Sequence, residues 1–136
     1  MKRASMLAGI VLTLTVLTVI SGCGGGGGTS ATPKQVVEKY MDASLDKDAQ
    51  EVYSLLSEAD KDNISLEDLQ AEMDIALEDY EFSYTIGEEK IDGDEASVEI
   101  TLIVEDIESG ESEEVPQTIN LVKEDGEWRI YFGDSL

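Results

Sequence analysis

The stretch Leu121-Val122-Lys123-Glu124-Asp125-Gly126-Glu127-Trp128-Arg129-Ile130 decides the fold. Ile119 and Leu121 precede its Asp-Gly pair at alternate positions, and Trp128, Ile130 and Phe132 follow it in the same rhythm. A period of two with one apolar face marks half-buried antiparallel strands. Asp-Gly suits a primed hairpin turn because glycine accepts positive φ. The same pattern extends upstream. Phe82, Tyr84 and Ile86 alternate with polar residues, as do Ala96, Val98, Ile100, Leu102 and Val104. Asp92-Gly93 and Ser109-Gly110 punctuate these runs. Three turns joining four strands predict a meander, with Pro116 tolerable at an edge or a bulge.

Before Glu81 the apolar period is helical. Thr32-Pro33-Lys34-Gln35 combines a capping residue, a proline at the first helical position and a capping-box glutamine. Val36, Val37, Tyr40, Met41 and Ser44 then form one stripe. Asp48-Ala49-Gln50-Glu51 opens a second helix carrying Val52, Tyr53, Leu55 and Leu56. Residues 57–64 are polar and predict a solvated loop. Ser65-Leu66-Glu67-Asp68 starts a third helix, with Leu66, Leu69, Met73, Ala76, Leu77 and Tyr80 expected inward. Helices followed by an antiparallel sheet make an α+β domain over residues 32–136.

The N-terminal segment has another character. Met1-Lys2-Arg3 is a short positive region, and Met6 to Ile20 is an apolar run. About 15 residues is short for a spanning helix, which needs ~20, and fits an export signal. Ile20-Ser21-Gly22-Cys23 resembles the lipobox of prokaryotic lipoproteins. That resemblance implies a signal peptide over residues 1–22 and lipidation of Cys23, with the protein anchored to a membrane outside the cytoplasm. Cys23 is the sole cysteine, so no internal disulfide staples the domain. Gly24 to Gly28, with Thr29-Ser30-Ala31, reads as a flexible tether, so that residues 23–31 hold the domain clear of the lipid.

The chain has 9 basic and 31 acidic residues. Lys2 and Arg3 lie in the signal, which leaves seven basic residues and a formal charge of −24 after it. Such a surface repels phosphates and excludes nucleic acid as a partner. No histidine is present, so a histidine base and histidine metal ligands are excluded. Asp60-Lys61-Asp62-Asn63 begins like a calcium loop but lacks the glycine at position six and the glutamate at position twelve. No metal site and no cofactor is expected.

Asp92 to Ile100 and Leu121 to Ile130, placed after a helix opened by Thr32-Pro33 and downstream of the lipobox, resemble the nuclear transport factor 2-like superfamily. That superfamily has a cystatin-like fold, and the likeness is to its small bacterial lipoproteins carrying an uncharacterised, SnoaL-like domain. The resemblance implies a sheet bent into a cone around the first helix, with an apolar cavity. Tyr40, Phe82, Tyr84, Ile100 and Trp128 are the residues expected to line it. Enzymes of this superfamily use a tyrosine–carboxylate pair, a histidine or aspartate base, or an arginine–aspartate network. The inward strand positions of this chain hold no carboxylate, and Arg129 alternates outward beside Glu127. The expected role is therefore a non-catalytic, lipid-anchored domain binding a protein partner or a small apolar ligand. The alternatives are a small hydrolase or isomerase using the cone, and a ligand-free structural lipoprotein of the cell envelope.

Overall fold

A computed structural model describes residues 30–76 and 79–133. The signal segment, the lipobox with Cys23 and the glycine run lie outside the described residues. The four strands are β1 (Tyr80–Asp92), β2 (Glu95–Asp106), β3 (Ser112–Glu124) and β4 (Glu127–Tyr131). They form one antiparallel sheet in the order β1-β2-β3-β4, the meander that the spacing predicts. Asp125 and Gly126 both have positive φ, 50° and 81°, as a type I′ turn requires. The β2–β3 register runs without a slip from Glu95 opposite Val122 to Glu105 opposite Ser112. β4 pairs only with Asn120–Glu124. Among the described residues, Pro116 lies on a part of β3 that has a strand neighbour on one side alone, which is why a proline is tolerated in a strand that is central elsewhere.

Helix α1 (Pro33–Leu45) starts as its sequence dictates. The Gln35 N–H donates to Thr32 Oγ1 at 3.3 Å, and the Thr32 N–H donates to Gln35 Oε1 at 3.0 Å. Its buried stripe of Val36, Val37 and Met41 packs on β1, β2 and β4. Helix α2 (Ala49–Leu55) is capped by Asp48, whose carboxylate accepts from the Glu51 N–H at 3.0 Å. Leu56 leaves the helix extended and makes a parallel bridge to Ile130, closing the outer edge of β4. Val37, Val98 and Ile130 are completely shielded from water and mark the centre of the core. Trp128 is also buried, with the Lys123 ammonium 5.4 Å from the centroid of its ring system.

Two expectations fail. Residues 57–64 are not a solvated loop: a short helix α3 (Glu58–Lys61) lies there, and both Ser57 and Asp60 are fully buried. Their polar character is satisfied internally. Helix α4 (Leu66–Ala76) does not bury all its apolar positions: Leu69 and Met73 are half-buried, but Leu66 is exposed. Tyr80 is not helical at all; it begins β1, pairs with Asp106 and is exposed. The helix packs mainly on α2, so its outer turns have no apolar surface to meet.

Candidate functional site

An apolar recess of about 280 Å³ opens between α1 and the sheet. Tyr40, Met41, Ser44 and Leu45 wall it from the last turns of α1. Phe82, Ile100 and Leu102 wall it from β1 and β2, and Gln117, Thr118 and Ile119 from β3. Phe132, just past β4, forms the remaining side. The recess exists because β4 stops at Tyr131 while β2 and β3 run on, leaving inward apolar positions with no fourth strand beside them.

Among the described residues no acidic or basic side chain lines this space. The Ser44 hydroxyl donates to the Tyr40 carbonyl at 2.7 Å and is thus used within its own helix. Burial pushes the Tyr40 phenol above its ordinary range, with Ser44 partly offsetting the shift. The phenol therefore stays a neutral donor. Gln117 occupies an inward position at the exposed mouth, and its amide supplies both donors and an acceptor there. Ligand pockets typically hold roughly 300–1,000 Å³. This recess sits just below that range, sized for a small apolar molecule or a side chain of a partner. Three larger hollows, of about 540, 470 and 390 Å³, are more polar; Asp106 edges the first two, with Asp79 and Glu108 in the one and Glu111 and Glu113 in the other.

Phe132 is held in place by Asp60. The Asp60 carboxylate accepts from the Phe132 N–H at 3.0 Å and from the Gly133 N–H at 3.1 Å, one on each oxygen. The Ser57 hydroxyl donates to it at 2.8 Å. Gly133 turns with φ of 62°, and a Cβ there would lie 3.2 Å from the Tyr131 ring. The Phe132 and Tyr40 rings meet at 6.0 Å, tilted by 55°. Asp60 is the residue that reading the sequence as a polar loop overlooks. Its signal is nevertheless there: Ser57-Glu58-Ala59-Asp60 has the spacing of a helix cap.

Of the five residues expected in the lining, the recess brings together Tyr40, Phe82 and Ile100. Tyr84 and Trp128 are not in it. Tyr84 faces α1, but its hydroxyl reaches the helix flank, donating to Asp42 Oδ1 at 2.6 Å, with the Glu38 carbonyl at 3.3 Å. Desolvation first, then the Asp42 carboxylate, holds its phenol well above the ordinary range. Trp128 pairs with Lys123, four residues along β3 from Ile119. That is ~13 Å toward the tight hairpin, where the core is filled. Arg129 is consumed structurally, donating to Glu127 at 2.6 Å and to the Ser54 carbonyl at 2.9 Å. Among the described residues no cluster of acidic, histidine or cysteine side chains fits a metal, and no helix is long and apolar enough to cross a membrane.

Residues 35–134 match the family described as anti-sigma-I factor RsgI9, C-terminal domain. The chain belongs to that family. Solved structures place the fold of this chain with nuclear transport factor 2-like and ketosteroid isomerase-like folds. A SEC-C motif containing protein from Rhodopseudomonas palustris aligns with a TM-score of 0.61 at 15% identity, covering 77% of this chain and 79% of that one. A hypothetical protein with a ketosteroid isomerase-like fold from Catenulispora acidiphila, in complex with trimethylamine, aligns at 0.54 and 15% identity, covering 77% and 89%. The chain Rd1NTF2_05 aligns at 0.53 and 15% identity, covering 70% and 88%. At these identities the likeness is one of fold. No curated protein matches the chain in sequence.

Proposed function

We propose that this protein is a non-catalytic regulatory domain, lipid-anchored outside the cytoplasm through Cys23, that binds a protein partner or a small apolar ligand in the recess. The observation that carries this reading is an apolar recess with no charged side chain among the described residues of its wall, braced by the buried Asp60 clamp. General acid–base chemistry needs a titratable group within reach of the substrate. The tyrosine–carboxylate pair of this protein, Tyr84 with Asp42, points to the helix flank instead. The family's name supports a regulatory setting. A sigma factor is the partner that name offers; reading residues 1–22 as an export signal argues instead for a different partner, met outside the cytoplasm.

Native mass spectrometry of the full chain, released in mild detergent from its host membranes, tests the binding reading. The expected result is a retained apolar ligand or protein, lost when Leu102→Trp fills the recess. A bare mass for both proteins would overturn it. Cell fractionation tests the placement: Cys23→Ser should abolish lipidation and release the protein or leave an uncleaved precursor. Normal cleavage with unchanged detergent partitioning in that variant would remove the anchor.

A further inference from the structure

The recess opens beside an unfilled strand position. β4 pairs with β3 only from Asn120 to Glu124, and among the described residues no strand pairs with Ser112–Ile119 on that side. The direction of each backbone group there follows from the turn. Glu124 and Glu127 flank the two-residue type I′ loop and so form a hydrogen-bonded pair. Alternate residues of a strand bond to the same neighbour, so Asn120 and Val122 also face β4. β3 has no register slip, and the alternation continues to Ser112, Glu114, Pro116 and Thr118. These four aim their backbone groups off the free edge. Pro116 is among them, which is why its missing N–H costs the sheet nothing.

The edge is open because β4 is drawn off it. Asn120 opposite Tyr131 is the last pair, and two further residues would place Gly133 opposite Thr118, the next hydrogen-bonded pair. The Gly133 N–H goes to Asp60 instead. A strand entering this position would continue the line of β4 and pair with Thr118, a wall residue of the recess. Every second side chain of such a strand points to the helix face, so one of them enters the recess. Charge selects the occupant. Glu111, Glu113 and Glu114 are exposed along this part of the chain. A second copy would set the same carboxylates against each other, a known device against edge-to-edge pairing. A basic segment meets the opposite sign.

We infer that the free edge of β3, from Glu114 to Thr118, takes an extended basic segment of a partner protein as a fifth strand, with one apolar side chain seated in the recess. This inference rests on the partner-binding reading of the recess and adds the backbone edge to it.

The test uses the full chain in neutral detergent and a short synthetic peptide alternating lysine with leucine and valine. Thr118→Pro removes an edge donor without changing charge, at a position equivalent to Pro116. It should weaken binding about tenfold, a step of one decade in Kd, with the thermal midpoint held. Leu102→Trp should weaken binding comparably by filling the recess. Should Thr118→Pro fail to fold, the peptide carries the test: N-methylation at alternate positions should abolish binding in one phase and spare it in the other. Loss with Leu102→Trp alone, and indifference to N-methyl phase, would overturn the strand addition and leave the recess reading intact. Binding unchanged by both variants and abolished by salt would be charge attraction alone and would overturn both. Dimerisation without peptide, reversed by Thr118→Pro, would assign the edge to a second copy and overturn the basic partner.

Discussion

The two halves of β3 have different surroundings. From Asn120 to Val122 the strand lies between β2 and β4, its inward Leu121 is shielded, and a type I′ turn closes the hairpin beyond Glu124. From Ser112 to Ile119 it has, among the described residues, β2 on one side only, and its inward Gln117 and Ile119 border an open recess. Both halves alternate and share one register. The difference comes from a residue outside the sheet, Asp60, which holds the end of β4. A strand pattern thus predicts which side chains face the core, while the length of a neighbouring strand decides whether that core is closed.

The closed half should be the costlier one to damage. Trp128→Ala removes a large buried side chain and should cost about 3–5 kcal/mol in chemical denaturation. A loss below 1 kcal/mol would mean that the indole is not packed. Asp60→Asn sharpens the comparison, because it weakens the clamp without altering either half of β3. It replaces one acceptor by a donor facing the Phe132 and Gly133 amides, and should cost about 1–3 kcal/mol. Faster hydrogen exchange at those two amides should accompany the loss. Unchanged exchange there would show that something other than Asp60 ends β4.

Tyr84→Phe touches the open half, where the phenol ties β1 to α1. Removing one hydrogen bond to a carboxylate should cost about 1 kcal/mol near neutrality. The phenol is held protonated beyond its ordinary range. Its contribution is therefore complete below pH of about 10 and lost as pH rises through the raised folded value. The variant should lose less stability than the parent on going strongly alkaline, as read by denaturant midpoints; parallel alkaline limbs would contradict the tie. The smallest effect belongs to the β2–β3 loop. The N–H groups of Ser109 and Glu108 donate to Asp106 and hold its carboxyl below the usual range. The stability it adds is present above the unfolded aspartate value, about 3.9, and lost as pH falls through the lower folded value. Asp106→Asn should flatten the acid limb slightly, and an identical limb would remove the loop from the acid response.

Much of this arrangement is legible in the sequence. Alternating apolar residues and three glycine-bearing turns predict the meander, and Thr32-Pro33-Lys34-Gln35 predicts the start of α1 and its cap. Reading residues 57–64 as loop fails because composition reports polarity without saying who satisfies it. Asp60 is the same residue type as its exposed neighbour Asp62, yet three hydrogen bonds from Ser57, Phe132 and Gly133 let it be buried. Tyr84 and Trp128 show a second limit. Alternation assigns a residue to a face, but its distance along the sheet from the recess depends on where β4 ends. That end is set by a contact spanning 73 positions of the chain, from Asp60 to Gly133.

Residue-resolved amide hydrogen exchange on the free protein tests the central claim most directly. Val115 and Gln117, which face β2, should be protected, and so should Asn120 and Val122, which face β4. Glu114 and Thr118 should exchange at close to the rate of an open chain, so that protection alternates along one half of β3 and is continuous along the other. Protection of Thr118 equal to that of Val122 would show the edge already occupied and would contradict the account.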